Sequence, residues 1–415
     1  MVKRNYYFFV IFLLPLTLNC QSKVTSLNLL FLDNESGSPV PYVHVIIKGT
    51  NIGTISNEEG RVKYKIENRF TNRILTVSAI GYISQDILIK KLVNKRVNKI
   101  RLEKQIYTIS PVTISKLVSK SIVESAIQNI PDNYPCENHY YSGYFRTALK
   151  ENENFVRYLE ASVSVFDKGF HKRRGLYAKI DQLRKSNDFR QYKWREGNNY
   201  LADCLFNDPI RFKEEIFDMD YIDYWNFKIV NVFPLDSSIV FDISFSSKEN
   251  LHPKYEGNML IRKKDYAILQ LDYTNNLDNK IFSPNDSLQF KHLNTVFSIR
   301  YKDFGDKMIK SYQSLKQDWD VVKQDWNVDS TENIHVGSIT LYEEFITYNF
   351  GYGRNMGLVN FLDKSIDIFE LRFIYNKNFW TNFNIPVDTE SFKSAKDKLN
   401  SREDIEKQFE NEYLP

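Results

Sequence analysis

Polar and apolar residues alternate in the first quarter of the chain. Over residues 61–66, basic side chains take every second position and apolar or aromatic side chains take the others. A period of two places one face of a β-strand in solvent and the other against a core. A β-branched and aromatic run at residues 42–47 predicts an earlier strand. Residues 57–60, which lead directly into residues 61–66, are polar and end on glycine, as is typical of a tight turn. The pattern predicts a hairpin within a small two-layer β-sandwich.

Three segments of this region resemble a known domain: PYVHVIIKGTNIGTISNEEGRVKYKI (41–66), LTVSAIGY (75–82) and NKIRL (98–102). They are similar to the carboxypeptidase-D regulatory-like domain, a transthyretin-type β-sandwich common near the N-terminus of envelope proteins in Bacteroidetes-type bacteria. The resemblance covers about residues 25–103. It departs where the family usually opens with Gly-x-Val-x-Asp, because Leu29 replaces the glycine while Asp33 is kept. It implies a non-catalytic module, since this domain is an appendage of the carboxypeptidases.

A second pattern, with a period of 3.6 residues, covers residues 118–130 and ends before Pro131. Such a stripe predicts an amphipathic helix whose apolar face is buried. Because the helix directly precedes a strand, we expect it to pack on the following sheet and to leave no empty lipid cavity. The side chains expected at this contact are Ile122, Val123, Ala126 and Ile127.

Residues 140–375 consist mostly of segments with the composition and alternation of strands, and residues 391–409 have a helical pattern. Ser401 and Asp404 have the spacing of a capping box in the helical region. Residues 170–223 show no clear period, so no element is predicted there. The expected fold is mainly β: an N-terminal transthyretin-like sandwich, then a large curved antiparallel sheet domain with a few packing helices.

The predicted domain organisation has five parts. They are a signal peptide at 1–20, the sandwich at 22–104, a connector and helix at 105–135, the antiparallel β domain at 136–376, and a helical segment at 377–415. The order of helix and long β region resembles the uncharacterised C-terminal region that often accompanies the regulatory-like domain. The hairpin IRKKDYAIL (261–269) is similar to strands of the half-barrels that cradle the acyl chains of lipoproteins, which makes a lipid carrier the first alternative.

The N-terminus predicts export. Lys3 and Arg4 precede an apolar run at residues 6–18 that is too short to cross a bilayer as a helix, which is typical of a secretory signal. Cys20 stands where a lipoprotein is acylated, and cleavage that leaves Gln21 or Lys23 first is the competing interpretation. We expect an exported protein of the periplasm, the outer membrane or the cell surface.

The overall composition is that of a folded protein with little net charge. The 415 residues are 42% hydrophobic, 26% charged and 15% aromatic, which favours extensive β-structure. The net charge of +4 includes Lys3 and Arg4 and falls to +2 without them (4 − 2 = 2). This charge is too small to indicate a nucleic-acid partner.

Two pairs of residues are candidates for a covalent or binding role. Export would place Cys136 and Cys204 in an oxidising compartment, where they form either one disulfide or two buried thiols. The tandem segments KQDWDVV (316–322) and KQDWNV (323–328) space Trp319 and Trp326 seven residues apart. A pair of tryptophans for stacking sugar rings is one hypothesis, and a duplicated loop or strand segment is the other.

Catalytic motifs are missing from the sequence. A zinc carboxypeptidase needs a His-x-x-Glu pair and a third histidine, but none of the six histidines has Glu three residues on. There is no G-x-S-x-G and no phosphate-binding loop. Asp33 and its neighbours are explained by a turn with fewer assumptions than by a calcium site. We therefore expect no catalytic residue, no cofactor and no metal site.

The leading hypothesis is an exported, non-enzymatic envelope protein whose sandwich is a binding or docking module. Its partner would be an envelope protein or a glycan, and membrane contact would come only from a lipid anchor. The alternatives are a carrier of hydrophobic ligands and a hydrolase with an unrecognised site. A large apolar cavity would favour the carrier, and converging titratable groups in a cleft would favour the hydrolase.

The first prediction concerns the mature N-terminus. Residues 1–20 are expected to be absent from the mature protein, because a basic and then apolar segment of this kind is removed on export. Intact-mass measurement of protein extracted from the envelope tests this. Added acyl mass on Cys20 would identify a lipoprotein, and a mature chain that still begins at Met1 would contradict export by this signal.

Overall fold

The structure is a computed structural model of the chain and is mainly β, as the sequence predicts. It describes residues 24–105, 119–170, 172, 175–192, 199–235, 238–249, 254–282, 288–324, 333–353, 361–363 and 366–410.

The N-terminal sandwich consists of two small sheets. In the first, β1 (Val24–Asp33) lies between the antiparallel β4 (Arg61–Glu67) and the parallel β7 (Asn98–Leu102). The second has the order β3-β2-β5-β6, with β2 (His44–Ile47), β3 (Gly53–Ile55), β5 (Ile74–Ser78) and β6 (Gln85–Leu88). Alternate side chains of both sheets meet in one core, so the predicted two-layer arrangement is confirmed.

One antiparallel sheet of ten strands forms most of the remaining chain. Its order is β10-β9-β8-β17-β16-β15-β14-β13-β12-β11, so the last strand returns to pair with β8. The strands are β8 (His139–Glu151), β9 (Asn154–Asp167), β10 (Leu176–Lys185), β11 (Trp225–Leu235), β12 (Ser238–Ser247), β13 (Lys254–Arg262), β14 (Ile268–Phe282), β15 (Gln289–Phe304), β16 (Lys307–Gln324) and β17 (Asn333–Tyr352).

Four short helices cover one face of this sheet. They are α1 (Ser119–Gln128), α2 (Ile130–Asn133), α3 (Tyr200–Phe206) and α4 (Pro209–Phe212). All four predicted interface residues of α1 are buried and belong to the same apolar cluster as the inward side chains of β8 to β17. This face, called the helix face below, is filled by side chains of the protein itself, as the sequence predicts.

The opposite face is covered at one end by three C-terminal helices, α5 (Lys377–Asn382), α6 (Glu390–Arg402) and α7 (Ile405–Glu410). Phe392 and Leu399 of α6 pack on Ala148 and Tyr158, whose strand neighbours point to the helix face. Ser401 does not cap α7 as its spacing suggests. Its hydroxyl donates to the Lys398 carbonyl inside α6, and Asp404 accepts from the backbone of α7 instead.

The sandwich packs on this second face beside the C-terminal helices. Ile55 of the sandwich, Tyr312 and Ile346 of the sheet, and Trp380 of α5 form one buried cluster. A second link joins the edge strand β4 to the chain after α5. The N–H of Lys65 donates to Asn384 Oδ1 at 2.6 Å, and Asn384 Nδ2 donates to the Lys65 carbonyl at 3.0 Å. The sandwich, the sheet and the C-terminal segment therefore contact one another.

The second prediction concerns α1. Val123→Asp places an unpaired carboxylate in the core and is expected to lower the free energy of unfolding by roughly 3–5 kcal/mol. Gln128→Asp, at an exposed position of the same helix, is the control and should change it little. Urea unfolding followed by circular dichroism measures both, and equal stabilities of the two variants would contradict the packing of α1 on the sheet.

Candidate binding surface

A row of polar side chains crosses β12 to β15 on the face opposite to α1. In β12, Asp242 and Ser244 alternate with three buried apolar residues, Phe241, Ile243 and Phe245. The strand pleat therefore places the polar side chains on the uncovered face. The same alternation continues through the neighbouring strands, and the sequence signal for this surface is the period of two.

Hydrogen bonds connect this row from strand to strand. Asn258 Nδ2 donates to Asp242 Oδ1 at 3.1 Å. Asp272 accepts from Ser298 Oγ at 2.6 Å and from Arg300 Nη1 at 2.7 Å. The row is thus held in place by partners on four adjacent strands before any ligand is present.

The row lies in an open trough of about 960 Å³, which is called the polar trough below. Its polar lining residues are Asn226, Lys228, Asp242, Ser244, Ser246, Glu256, Asn258, Gln270, Asp272, Thr274 and Ser298. Hydroxyl, amide and carboxylate groups offer both donors and acceptors to a ligand. The lining also contains apolar side chains, among them Phe233, Leu260 and Val296. An acyl chain would desolvate the polar groups without replacing their hydrogen bonds, so these groups favour a ligand that is at least partly polar.

The trough has an acidic character. Partial burial raises the pKa of Asp242, and the nearby Asp272 raises it further, while the amide of Asn258 opposes this shift. Asp242, Glu256 and Asp272 supply three carboxylates, against the lysine Lys228 within the trough. Within the described part of the chain, Asp272 is the one of these three carboxylates that pairs with a cation, which is Arg300.

The polar row ends at the sandwich. The guanidinium of Arg300 lies 4.6 Å from the ring centroid of Tyr42, a residue of the sandwich. Nearby, His44 Nε2 lies 3.0 Å from Ser311 Oγ of the sheet. Burial lowers the pKa of His44 to about 3, helped by Lys302 and Arg300, and burial lowers the pKa of Lys302 to about 8. His44 is therefore neutral at physiological pH, so the positive charges around it are those of Arg300 and Lys302.

A buried group of titratable residues lies on the helix face. Arg211 binds both carboxylate oxygens of Asp167 at 2.7 Å, and Asp208 accepts from Tyr301 at 2.7 Å and pairs with Lys310 at 3.1 Å. The space between these side chains is about 20 Å³, which holds about one water molecule. Titratable groups converge here, but the space is too small for a substrate.

A second buried charge cluster lies under α6. Arg146 pairs with Glu344 at 2.6 Å and with Asp388 at 2.7 Å, while Glu160 pairs with Arg184 and, at 3.0 Å, with Lys396. Burial alone would raise the pKa of Glu160, but Arg184 and Lys396, with hydrogen bonds from two tyrosines, hold it well below its usual range. These pairs join α6 and the chain before it to the sheet, so we interpret the cluster as structural.

The cysteines singled out in the sequence are not brought together by an S–S bond. Cys136 and Cys204 are both free thiols in the structure. Cys136 is partly exposed and its Sγ lies 3.3 Å from the Pro131 carbonyl, whereas Cys204 is fully buried on α3. Their pairing after export stays a prediction. Cys20 lies outside the described residues.

Trp319 does not form a surface for sugar rings. It is 5% exposed, and its ring stacks on His292 with centroids 4.0 Å apart. Trp319 lies in β16, so this copy of the tandem segment is part of a strand that packs on the helix face. Trp326 lies outside the described residues, and its role stays a hypothesis.

No metal site is found in the part of the chain that the structure describes, where no three His, Cys, Asp or Glu side chains are grouped to hold an ion. Asp33, considered from the sequence as a calcium ligand, is bound by groups of the protein itself. Its carboxylate accepts from the backbone N–H groups of Glu35 and Ser36 at 3.0 and 2.7 Å and from Tyr82 at 3.0 Å. These bonds hold its pKa well below the usual range against the effect of burial, and they define a turn.

Comparison with known proteins identifies the sandwich. The fold defines a class of protein in which a two-layer sandwich is attached to a larger antiparallel sheet. Residues 31–114 match the family model of the CarboxypepD_reg-like domain, which confirms the resemblance for this part of the chain. The TonB-dependent receptor P39 of Formosa agariphila is 33% identical over 97 residues, which are 23% of this chain and 8% of the receptor. The similarity concerns one domain of that much longer protein.

Solved structures resemble the region of the large sheet only distantly. A LolA superfamily protein from Nitrosomonas europaea aligns with 58% of this chain and 95% of its own, with 8% identity and a TM-score of 0.20. A putative outer membrane lipoprotein-sorting protein domain from Vibrio parahaemolyticus covers the same shares, with 10% identity and a TM-score of 0.24. Such low scores say nothing about function. Among the described residues, no helix is long and apolar enough to span a bilayer.

The third prediction concerns the cluster under α6. Glu160→Gln removes the carboxylate that Arg184 and Lys396 share, and it is expected to cost roughly 3–5 kcal/mol of stability at neutral pH. Glu153→Gln, whose side chain is 87% exposed, is the control and should cost little. Urea unfolding measures both variants.

The contribution of Glu160 to stability is predicted to depend on pH. Because the folded pKa of Glu160 lies below its unfolded value of about 4.5, its contribution to stability is present above that pH and is lost as the pH falls below it. The unmodified protein should therefore lose more stability than Glu160→Gln on acidification through this range. Parallel pH profiles would contradict the structural role of the pair.

Proposed function

We propose that this protein is an exported, non-catalytic binding protein of the cell envelope that contacts a polar envelope partner through the polar trough. The observation that carries the proposal is the contrast between the two faces of the ten-stranded sheet. The helix face is filled by the chain's own helices, whereas the hydrogen-bonded polar row on β12 to β15 is open. A preformed polar surface of this kind favours recognition over storage or catalysis.

The packing of the sheet argues against a lipid carrier. A carrier needs an apolar space for acyl chains, and the face that is rich in apolar side chains is occupied by α1 to α4. The open trough has apolar side chains in its lining, but its central row of hydroxyl, amide and carboxylate groups would lose hydrogen bonds to water if an acyl chain covered them. The carrier hypothesis is therefore the weaker of the two binding hypotheses.

The geometry also argues against a hydrolase. The best convergence of titratable groups, around Asp167 and Arg211, encloses room for about one water molecule and is bounded by buried side chains. In the open trough, Asp272 is already bound to Ser298 and Arg300, so its lone pairs serve the row itself.

The envelope location rests on two independent features of the chain. The basic and apolar residues 1–18 have the pattern of a secretory signal. The CarboxypepD_reg-like domain is also present in a receptor named for its dependence on TonB. We infer that the protein acts outside the cytoplasm, either in the periplasm or at the outer membrane.

The fourth prediction tests the trough. Purified protein is mixed with an envelope fraction from cells that lack it, and the bound fraction is measured by cosedimentation. Asp242→Lys reverses a charge on the open row and is expected to weaken binding roughly tenfold, or ~1.4 kcal/mol. Glu153→Lys makes the same change of charge on an exposed turn away from the trough and is the matched control.

Treatment of the envelope fraction separates the two kinds of partner. Loss of binding after digestion with a protease indicates a protein partner, and loss after periodate oxidation indicates a glycan. Equal binding by the two variants, or no binding by the unmodified protein, would contradict the proposed role of the trough. Melting temperatures of both variants exclude unfolding as the cause of any loss.

A further inference from the structure

A second open space lies where the end of the sandwich meets α5, and it shares no lining residue with the polar trough. This junction groove has a volume of about 560 Å³. Its apolar floor contains three partly buried phenylalanines, Phe70 from the sandwich and Phe379 and Phe383 from the C-terminal segment. Clefts between domains with an apolar floor are common places for small-ligand sites.

The rim of the junction groove is polar and mostly uncharged. Four asparagines line it, and the charged lining residues are Lys65 and Glu67 at one edge. Lys65 is occupied, because its ammonium donates to the carbonyl oxygens of Thr381 and Phe383 at 2.6 and 2.9 Å. Asn384 is bound on both sides to the backbone of Lys65, the Oδ1 of Asn376 caps α5, and the Nδ2 of Asn382 donates to the Asn378 carbonyl. The amide groups left for a ligand are those of Asn378, Asn376 Nδ2 and Asn382 Oδ1, and they suit a ligand with hydroxyl groups. The asparagines are Asn376, Asn378, Asn382 and Asn384.

A buried hydroxyl in the same groove lacks a partner. Tyr64 lines the groove and is 1% exposed, and its hydroxyl oxygen has no hydrogen-bond partner among the described residues. A buried hydroxyl without a partner is destabilising, so a ligand that bonds to it gains more than an average hydrogen bond. This group points to a ligand independently of the asparagines.

We propose that the junction groove is a binding site for a neutral saccharide. The partly exposed phenylalanines supply an apolar platform for the C–H face of a pyranose ring, and Asn378, Asn376 Nδ2, Asn382 Oδ1 and Tyr64 bind its hydroxyl groups. A lipid would leave these polar groups unsatisfied. Lys65 and Glu67 already have partners in the protein, Glu67 through Arg69, so a charged ligand would have to displace one of them. This site shares no lining residue with the polar trough, so a test of saccharide binding in the groove is independent of the proposed envelope partner.

The experiment titrates the full chain with neutral oligosaccharides and measures binding by calorimetry. The probes are hexasaccharides of β-1,4-glucose, β-1,3-glucose, α-1,4-glucose, β-1,4-xylose and β-1,4-mannose. At least one is expected to bind with a dissociation constant below about 1 mM, a gain of at least ~4.1 kcal/mol. No binding by any of the five at millimolar concentration would overturn the proposal.

Tyr64→Phe is the sharpest variant, because it removes only the hydroxyl. The substitution should leave the melting temperature unchanged or higher, since no protein bond is lost, yet weaken saccharide binding at least threefold. Phe70→Ala, which removes part of the platform, should weaken it at least tenfold. Glu153→Lys, at an exposed position that lines neither the groove nor the polar trough, is the control and should bind the saccharide normally. Unchanged affinity in both groove variants would overturn the assignment to this groove.

Discussion

The pairing of charges beneath α6 is the constraint on which the arrangement of the protein depends. Arg146, Glu160 and Glu344 project from neighbouring strands into a space closed to water, where an uncompensated charge would be very costly. Their partners Lys396 and Asp388 come from the C-terminal segment, which must therefore lie on this part of the sheet. That position in turn brings α5 against the sandwich, and the junction groove is the space left between them.

The large sheet shows how one strand pattern can serve two different surfaces. Each strand alternates, so both faces are determined together. On β12 to β15 the face opposite to the helix face carries the polar row, whereas on β8, β9, β16 and β17 it also carries apolar side chains that pack on the sandwich and the C-terminal helices. At β8 to β10 the second face is covered by helices and its charges are paired. At β12 to β15 no helix of the described chain covers it, and the polar groups satisfy one another across strands while keeping capacity for a ligand.

Local patterns predicted the local elements well. The alternation at β4 and the stripe of α1 each involve residues close in sequence, and both predictions are confirmed. The helices α3 and α4 were missed, because each has fewer than eight residues and too few turns to show a period. Their caps were the available signal: Asn199 accepts from the backbone of α3, and Asp208 before Pro209 accepts from the backbone of α4.

Features built from distant residues could not be predicted in this way. The polar row needs Asp242, Asn258 and Asp272 to be in register, and the sequence does not state which residues pair. The groove needs Phe70 beside Phe379, more than three hundred positions apart. The strand alternative for Trp319 matches β16, but its burial depends on His292 of the neighbouring strand, which the sequence does not place beside it.

The two hydrogen bonds between Asn384 and Lys65 have a consequence for solubility. β4 is an edge strand, and an uncovered edge offers its backbone groups to any other strand, including the same edge of a second molecule. The side-chain amide of Asn384 occupies one donor and one acceptor in the middle of that edge, as a neighbouring strand would. The segment that contains Asn384 thus protects the first domain against edge-to-edge aggregation, so the sandwich gains this protection only after residue 384 has been synthesised.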